Sequence, residues 1–190
     1  MFVTIIAVFL LCKPLTNFVY DNTSIDDFFS SKIENTIGEF LDSQLEKGTH
    51  INPEKTNISR PIAEKINTYI DEARDKSVPN VSEYIANQLA YIVISALVVI
   101  VLFISIRLAT IVLKTVLAFI SELPFINKID KAGGIIYGLI RAFIIVYFVL
   151  AILSLLSPLL ANTGIIAAIN NSKLCEKLYN NNVFLKIFIK

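Results

Sequence analysis

The stretch YIANQLAYIVISALVVIVLFISI, Tyr84–Ile106, runs for twenty-three residues without one charged side chain. An α-helix rises about 1.5 Å per residue, so this segment covers the ~30 Å of a bilayer's hydrocarbon with length to spare for tilt. A second run, Ala132–Ala161, holds thirty residues and a single charge, Arg141. Two apolar segments of this length predict an all-α, polytopic helical membrane protein. The bulk composition agrees: of 190 residues 55% are hydrophobic and only 17% charged, with a mean hydropathy of +0.66, which is too apolar for a soluble domain of this size.

Charge is divided unevenly about these spans. Cys12 to Glu83 carries eight Lys/Arg against thirteen Asp/Glu, while the rest of the chain carries nine against three. The short connection between the spans has Arg107, Lys114, Lys128 and Lys131 against Glu122 and Asp130, and by the positive-inside rule it is cytoplasmic. The acidic residues 21–83 then form an amphipathic-helical extracytoplasmic segment. Crossing count places the tail, residues 162–190, outside as well, with VFLKIFIK lying on a membrane surface.

The remaining boundaries follow outward from the spans. Residues 1–20 form an N-terminal hydrophobic segment whose apolar run, Met1–Leu11, is about 16 Å long as a helix, so it reads as a partial or truncated span or as a segment embedded in one leaflet. No basic residue precedes it and Leu11 stands before Cys12, so no cleaved signal is expected. Ile25, Phe28, Phe29, Ile33, Ile37, Phe40, Leu41 and Leu45 recur at helical spacing behind the capping pair Ser24 and Asp27. Gly48 and Pro53 then interrupt. A second amphipathic helix begins at Pro61 and presents Ile62, Ile66, Tyr69, Ile70 and Ala73 on one side until Lys76, ending near Val78-Pro79. Each of these faces requires a cover, from its neighbour, the spans or the membrane surface. Residues 107–131 comprise a basic amphipathic helix and turn, in which Arg107, Thr110, Lys114 and Ser121 make one polar stripe. A continuous helix from Tyr84 to Ile120 would measure about 55 Å, so a bend near Arg107 or emergence into the headgroups is expected.

Two features stand out within residues 132–161. Gly134, Gly138 and Ala142 repeat at intervals of four, leaving one helix face without bulk; the pattern predicts helix packing, within the chain against Tyr84–Ile106 or between copies. Arg141 is costly inside a membrane, at about 2.5–3.5 kcal/mol near the midplane, and marks either a polar pathway or a span that starts at Ala142 with the guanidinium snorkelling to the headgroups. Catalytic signatures are not found: His50 is a lone loop histidine, Cys12 and Cys175 have no metal or redox spacing, and GxSxG, P-loop and HExxH patterns do not occur. Asp21, Asp26, Asp27, Asp71, Glu72 and Asp75 read as helix-terminal and solvent-face charge. The chain is therefore expected to be no enzyme and to use no metal and no cofactor. Its expected partners are the lipid bilayer, other membrane or envelope proteins and a second copy of itself, with no nucleic acid.

The segment LPFINKIDKAGGIIYGLIRAFIIVYFVLAILSLLSP (residues 123–158) and the later NSKLCEKLYNNN resemble the colicin V production protein (CvpA) family. The likeness lies in the Leu-Pro turn with Pro124, Asn127, Asp130 and Gly133, in Gly134 and Gly138, and in Ser172, Leu174, Leu178 and Tyr179. VFLLCKPLTNFVYDNTS also resembles the end of the family's second helix. The resemblance implies a small bacterial inner-membrane protein of about four spans, here without the first transmembrane helix and the basic turn after it. It further implies a non-catalytic accessory role in colicin V-type toxin production or export and in envelope functions. A subunit of a channel or transporter, with Arg141 on a polar route, is the alternative.

Overall fold

The computed structural model describes residues 2–46, 50–52, 58–120 and 131–188. The protein is 87% helical, with no strand among the described residues. The elements are α1 (Phe2–Asn22), α2 (Ile25–Glu46), α3 (Arg60–Asp75), α4 (Val81–Ile120), α5 (Lys131–Leu155), α6 (Ser157–Leu160), α7 (Gly164–Asn170), α8 (Lys173–Asn180) and α9 (Val183–Phe188). Among the described residues, three helical stretches are long and apolar enough to cross a membrane: Thr4–Asn22, Val81–Val116 and Gly134–Leu155.

The axis of the structure is α4, a single helix of 40 residues and thus about 60 Å. Of the two outcomes expected for so long a segment, the bend near Arg107 is absent. Nothing in this segment interrupts a helix, since it holds neither Pro nor Gly and its carbonyls remain bonded along the same rod. Its length is instead divided between two environments. The first four turns are the core of a helical head, where Ile85, Leu89, Ala90, Val93 and Ala96 lie buried against Ile33, Ile37 and Leu41 of α2 and Ile62, Ile66 and Ile70 of α3. Beyond these turns the helix faces outward with Leu97, Val101, Ile104, Leu108, Ile111, Val112 and Val116. Leu97 to Val116 is about 30 Å of helix, one hydrocarbon thickness. These outward-facing apolar residues continue past Ile106 as far as Val116.

The amphipathic faces read from the sequence point inward. In α3 Ile62, Ile66, Tyr69, Ile70 and Ala73 are all buried. In α2 the stripe narrows to Ile33, Ile37 and Leu41; Phe28 near its start stays 65% exposed. The Asp42 carboxylate accepts a hydrogen bond from Ser82 and so ties the far end of α2 to the start of α4. Asn67 of α3 accepts from the backbone N–H of Ile51 and donates to its carbonyl, fixing the incoming loop. α3 ends in a Schellman turn: Val78 N–H bonds Ala73 O at 2.9 Å and Ser77 N–H bonds Arg74 O at 3.0 Å. Closing it puts Ser77 at φ 52, the left-handed region a glycine would occupy without strain.

The N-terminal segment is helical well past its apolar run: α1 continues through Lys13 and Pro14 to Asn22. A proline inside a helix removes one backbone hydrogen bond and costs about 3 kcal/mol, which side packing offsets here. Val8 and Cys12 are buried with Ile94, Val98 and Val99 of α4, Asn17 accepts from the Tyr91 hydroxyl at 2.6 Å, and Tyr20 meets Tyr91 edge-on at 5.5 Å. These pairings make α1 antiparallel to α4.

Candidate functional site

Helix α5 approaches α4 through Phe148, whose ring lies 5.0 Å from that of Phe103, and then joins the head through Ala151 and Leu155. At this junction the apolar run LSLLSP places Ser154 and Ser157 three residues apart, on one side of the chain and fully buried. Opposite them is Ser59, 1% exposed, at the entrance to α3. Its backbone is extended, as at a helix N-cap, but its side chain does not cap α3. It is turned into the node instead: Ser154 Oγ donates to Ser59 Oγ at 2.6 Å, while Ser59 Oγ lies 3.3 Å from both Ser154 O and Ser157 Oγ. The Ser59 N–H donates to Ser157 Oγ at 3.3 Å. Three hydroxyls from segments almost a hundred residues apart in sequence thus satisfy one another away from water, as buried polar groups must.

Tyr179 of α8 completes the node. It is 0% exposed, and its hydroxyl is buried without a hydrogen-bond partner. Burial pushes its ionisation up to about 12, against a smaller opposing pull from the Ser59 and Ser157 hydroxyls that it faces. The three asparagines after it clamp the tail to the head and to α5. Asn180 Oδ1 accepts from the Arg60 N–H at 3.1 Å, and Asn182 Nδ2 donates to Tyr147 O at 2.8 Å. The Tyr147 hydroxyl accepts from Val183 N–H at 2.7 Å and donates to Asn181 O at 3.1 Å. Residues 179–183 are therefore stitched to two other parts of the chain by side-chain and backbone bonds together.

The residues singled out in the sequence are distributed differently. Gly134, Arg141 and Ala142 lie on a stretch of α5 that is exposed on every side from Gly134 to Phe143. Added Cβ atoms at Gly134 and Gly138 would meet nothing within 4 Å, so the expected packing of this face on residues 84–106 is not made within the chain. The reason is divergence: α5 meets α4 from Phe148 onward, beyond the small-residue stretch. Arg141 pairs with no described residue. Gly133 lies in the first turn of α5, while Pro124, Asn127 and Asp130 lie outside the described residues. His50 Nε2 stands 2.9 Å from Asp71 Oδ1, both more than half exposed. Glu72 accepts from the Tyr84 hydroxyl at 3.2 Å. No group of three His, Cys, Asp or Glu able to hold a metal ion occurs among the described residues. A cleft between α1, α4 and α5, lined by Ile5, Ile100, Phe103, Ile104, Phe148 and Ile152, is apolar.

Of the node, sequence reading singled out Tyr179 alone. The signal for the others lay in residues 153–158, where two serines at a helical interval within an otherwise apolar run require partners.

Three apolar helices among the described residues, a helical head built onto the longest of them and a buried polar node where the head meets α5 define a helical membrane protein. A sequence model of the colicin V production protein family matches residues 65–182, more than half of the chain, and the protein belongs to that family. The match begins inside α3 and ends at Asn182, so it takes in Ser154, Ser157, Tyr179 and the asparagine clamp, but not α1, α2 or Ser59. Neither the curated proteins nor the solved structures give a match.

Proposed function

We propose that the protein is a non-catalytic accessory of the bacterial cytoplasmic membrane that supports production or export of a colicin V-type toxin and related envelope functions. The observation that carries this reading is the family match over residues 65–182, which covers most of α3, all of α4 and α5, and the node apart from Ser59. The basic connection between α4 and α5 is assigned to the cytoplasm by its lysines and arginines, which places the head outside. In this reading the head is the working surface. It is fixed by the node to α5 and the tail, and it presents the acidic outer faces of α2 and α3 to other envelope proteins. The small-residue face of α5, open within one chain, packs against a second copy or a neighbouring membrane protein.

The test is complementation of a deletion strain, scoring secreted toxin activity and envelope integrity. Full-length protein should restore both, and a variant with the node broken, Ser59→Ala with Ser157→Ala, should restore less of each at equal membrane abundance. Full secretion in the deletion strain would refute the role. A channel or transporter subunit draws no specific support, because Arg141 is exposed and lines no cleft described above, and the cleft between the spans is apolar.

A further inference from the structure

We propose that the cleft between α1, α4 and α5 holds a stretch of one acyl chain of a phospholipid; the proposal rests on these helices crossing the membrane, as read above. α5 meets α4 where the rings of Phe103 and Phe148 stand 5.0 Å apart, and from Phe143 back to Gly134 it is exposed on every side. The cleft lies at this fork. Ile100, Phe103 and Ile104 of α4 line it on one side and Ile145, Phe148 and Val149 of α5 on the other, around a volume of about 120 Å³. Toward the head it is closed: Ala96, one turn before Ile100, and Ala151 and Leu155 beside Ile152 are buried in the head core. Sideways it is open, because Ile104, Ile145 and Val149 are exposed.

Those three residues belong both to the rim of the cleft and to the outward apolar surface of the spans, so the cleft is continuous with the surface that faces lipid. Its depth agrees. Ile100 and Ile104 follow Leu97, where α4 begins to face outward, by about 5 and 10 Å of helix, within the chain region of the head-side leaflet. Size then selects the occupant. A helix with its side chains is about 10–12 Å across and cannot enter a cavity of 120 Å³, whereas an apolar cavity of ~150 Å³ takes up a hydrocarbon as small as benzene. A few methylene groups fit, and the open side lets the rest of that chain and the lipid's second chain stay in the bilayer. Water would find no polar side chain to bond among the lining residues, and an empty cleft would forfeit the dispersion contacts that a chain supplies.

The experiment is native mass spectrometry of the full-length protein in detergent, titrated with palmitoyl-oleoyl phosphatidylethanolamine and, separately, with oleic acid. A single phospholipid retained per chain is expected. Val149→Phe fills the cleft from its rim and should lower that retention about fivefold, while Val146→Phe, comparably exposed on the same helix but outside the cleft, should leave it unchanged. Ile104→Phe against Leu108→Phe makes the same comparison on α4, and it decides if an α5 variant loses helicity by circular dichroism. Absence of retained phospholipid in the natural protein, equal retention by each cleft variant and its control, or retention of oleic acid in place of the phospholipid overturns the proposal. So does a lipid-free dimer that Val149→Phe dissociates, since the cleft would then hold a second copy. Lipid retention and toxin secretion are separate readouts, so loss of the lipid leaves the accessory role standing, and failed complementation with intact lipid retention refutes only that role.

Discussion

Removing Ser59 Oγ should destabilise the protein through a group it leaves behind. In Ser59→Ala the Ser154 hydroxyl loses its 2.6 Å acceptor and Ser157 Oγ loses its neighbour at 3.3 Å, both in a fully buried position. Leaving a buried hydroxyl unsatisfied costs about 1–3 kcal/mol, and the lower half of that range applies because a helical serine can fall back on the carbonyl four residues before it. Ser154→Ala removes one donor while Ser59 keeps Ser154 O and Ser157 Oγ within 3.3 Å, so its cost is about 1 kcal/mol. The double variant should then cost little more than Ser59→Ala alone, a coupling of about 1 kcal/mol where independent sites add to within ~0.5 kcal/mol. Reversible unfolding in mixed micelles, followed by helicity, measures all four corners of this cycle. Additive costs would refute the hydroxyl node as a cooperative unit.

Further expectations follow from neighbouring features. Tyr179 and Tyr69 both hold their protons up to about 12 when folded, against 10.0 in the unfolded chain. The folded state thus binds more protons than the unfolded between those values, and stability, complete below pH 10, should fall as pH rises through this window; Tyr179→Phe should flatten the slope. At neutral pH the same substitution removes a buried hydroxyl with no partner and should be neutral or stabilising by up to about 1 kcal/mol in the same micelle unfolding assay. Ser77→Gly should relieve the left-handed backbone at the end of α3 and raise stability by about 1 kcal/mol, read as a higher melting temperature. A Cβ added at Gly138 would meet no atom within 4 Å, so Gly138→Leu should leave the unfolding midpoint unchanged or raise it while lowering inter-chain crosslinking in membranes; unchanged crosslinking would remove the α5 packing claim.

How legible each element was depended on how much of its environment the sequence encodes. The face of α3 was readable residue by residue because a 3.6-residue period in a polar helix has one explanation, and Ile62, Ile66, Tyr69, Ile70 and Ala73 are buried together. Apolarity around the whole of α4 gave its class but not its depth, since an interior and a bilayer both accept Leu, Ile and Val; the burial of Ile85 and Leu89 in the head is decided by α2 and α3. Lys13 and Pro14 are poor helix-interior residues for an apolar segment, and packing on α4 carries α1 past them. Small residues at Gly134 and Gly138 predict that a backbone can come close without specifying which one. The node required knowing that Ser59 and Ser154 meet across 95 positions, which no local pattern contains.

Because α4 is one helix from the centre of the head to the connection end, it acts mechanically as a lever whose fulcrum lies where α1 and α5 grip it around Val98, Val99 and Phe103. A partner that tilts the head by about 10° would swing the far end, some 30 Å away, by about 5 Å. A force applied at one end of the rod would thus register at the other without any rearrangement of the fold.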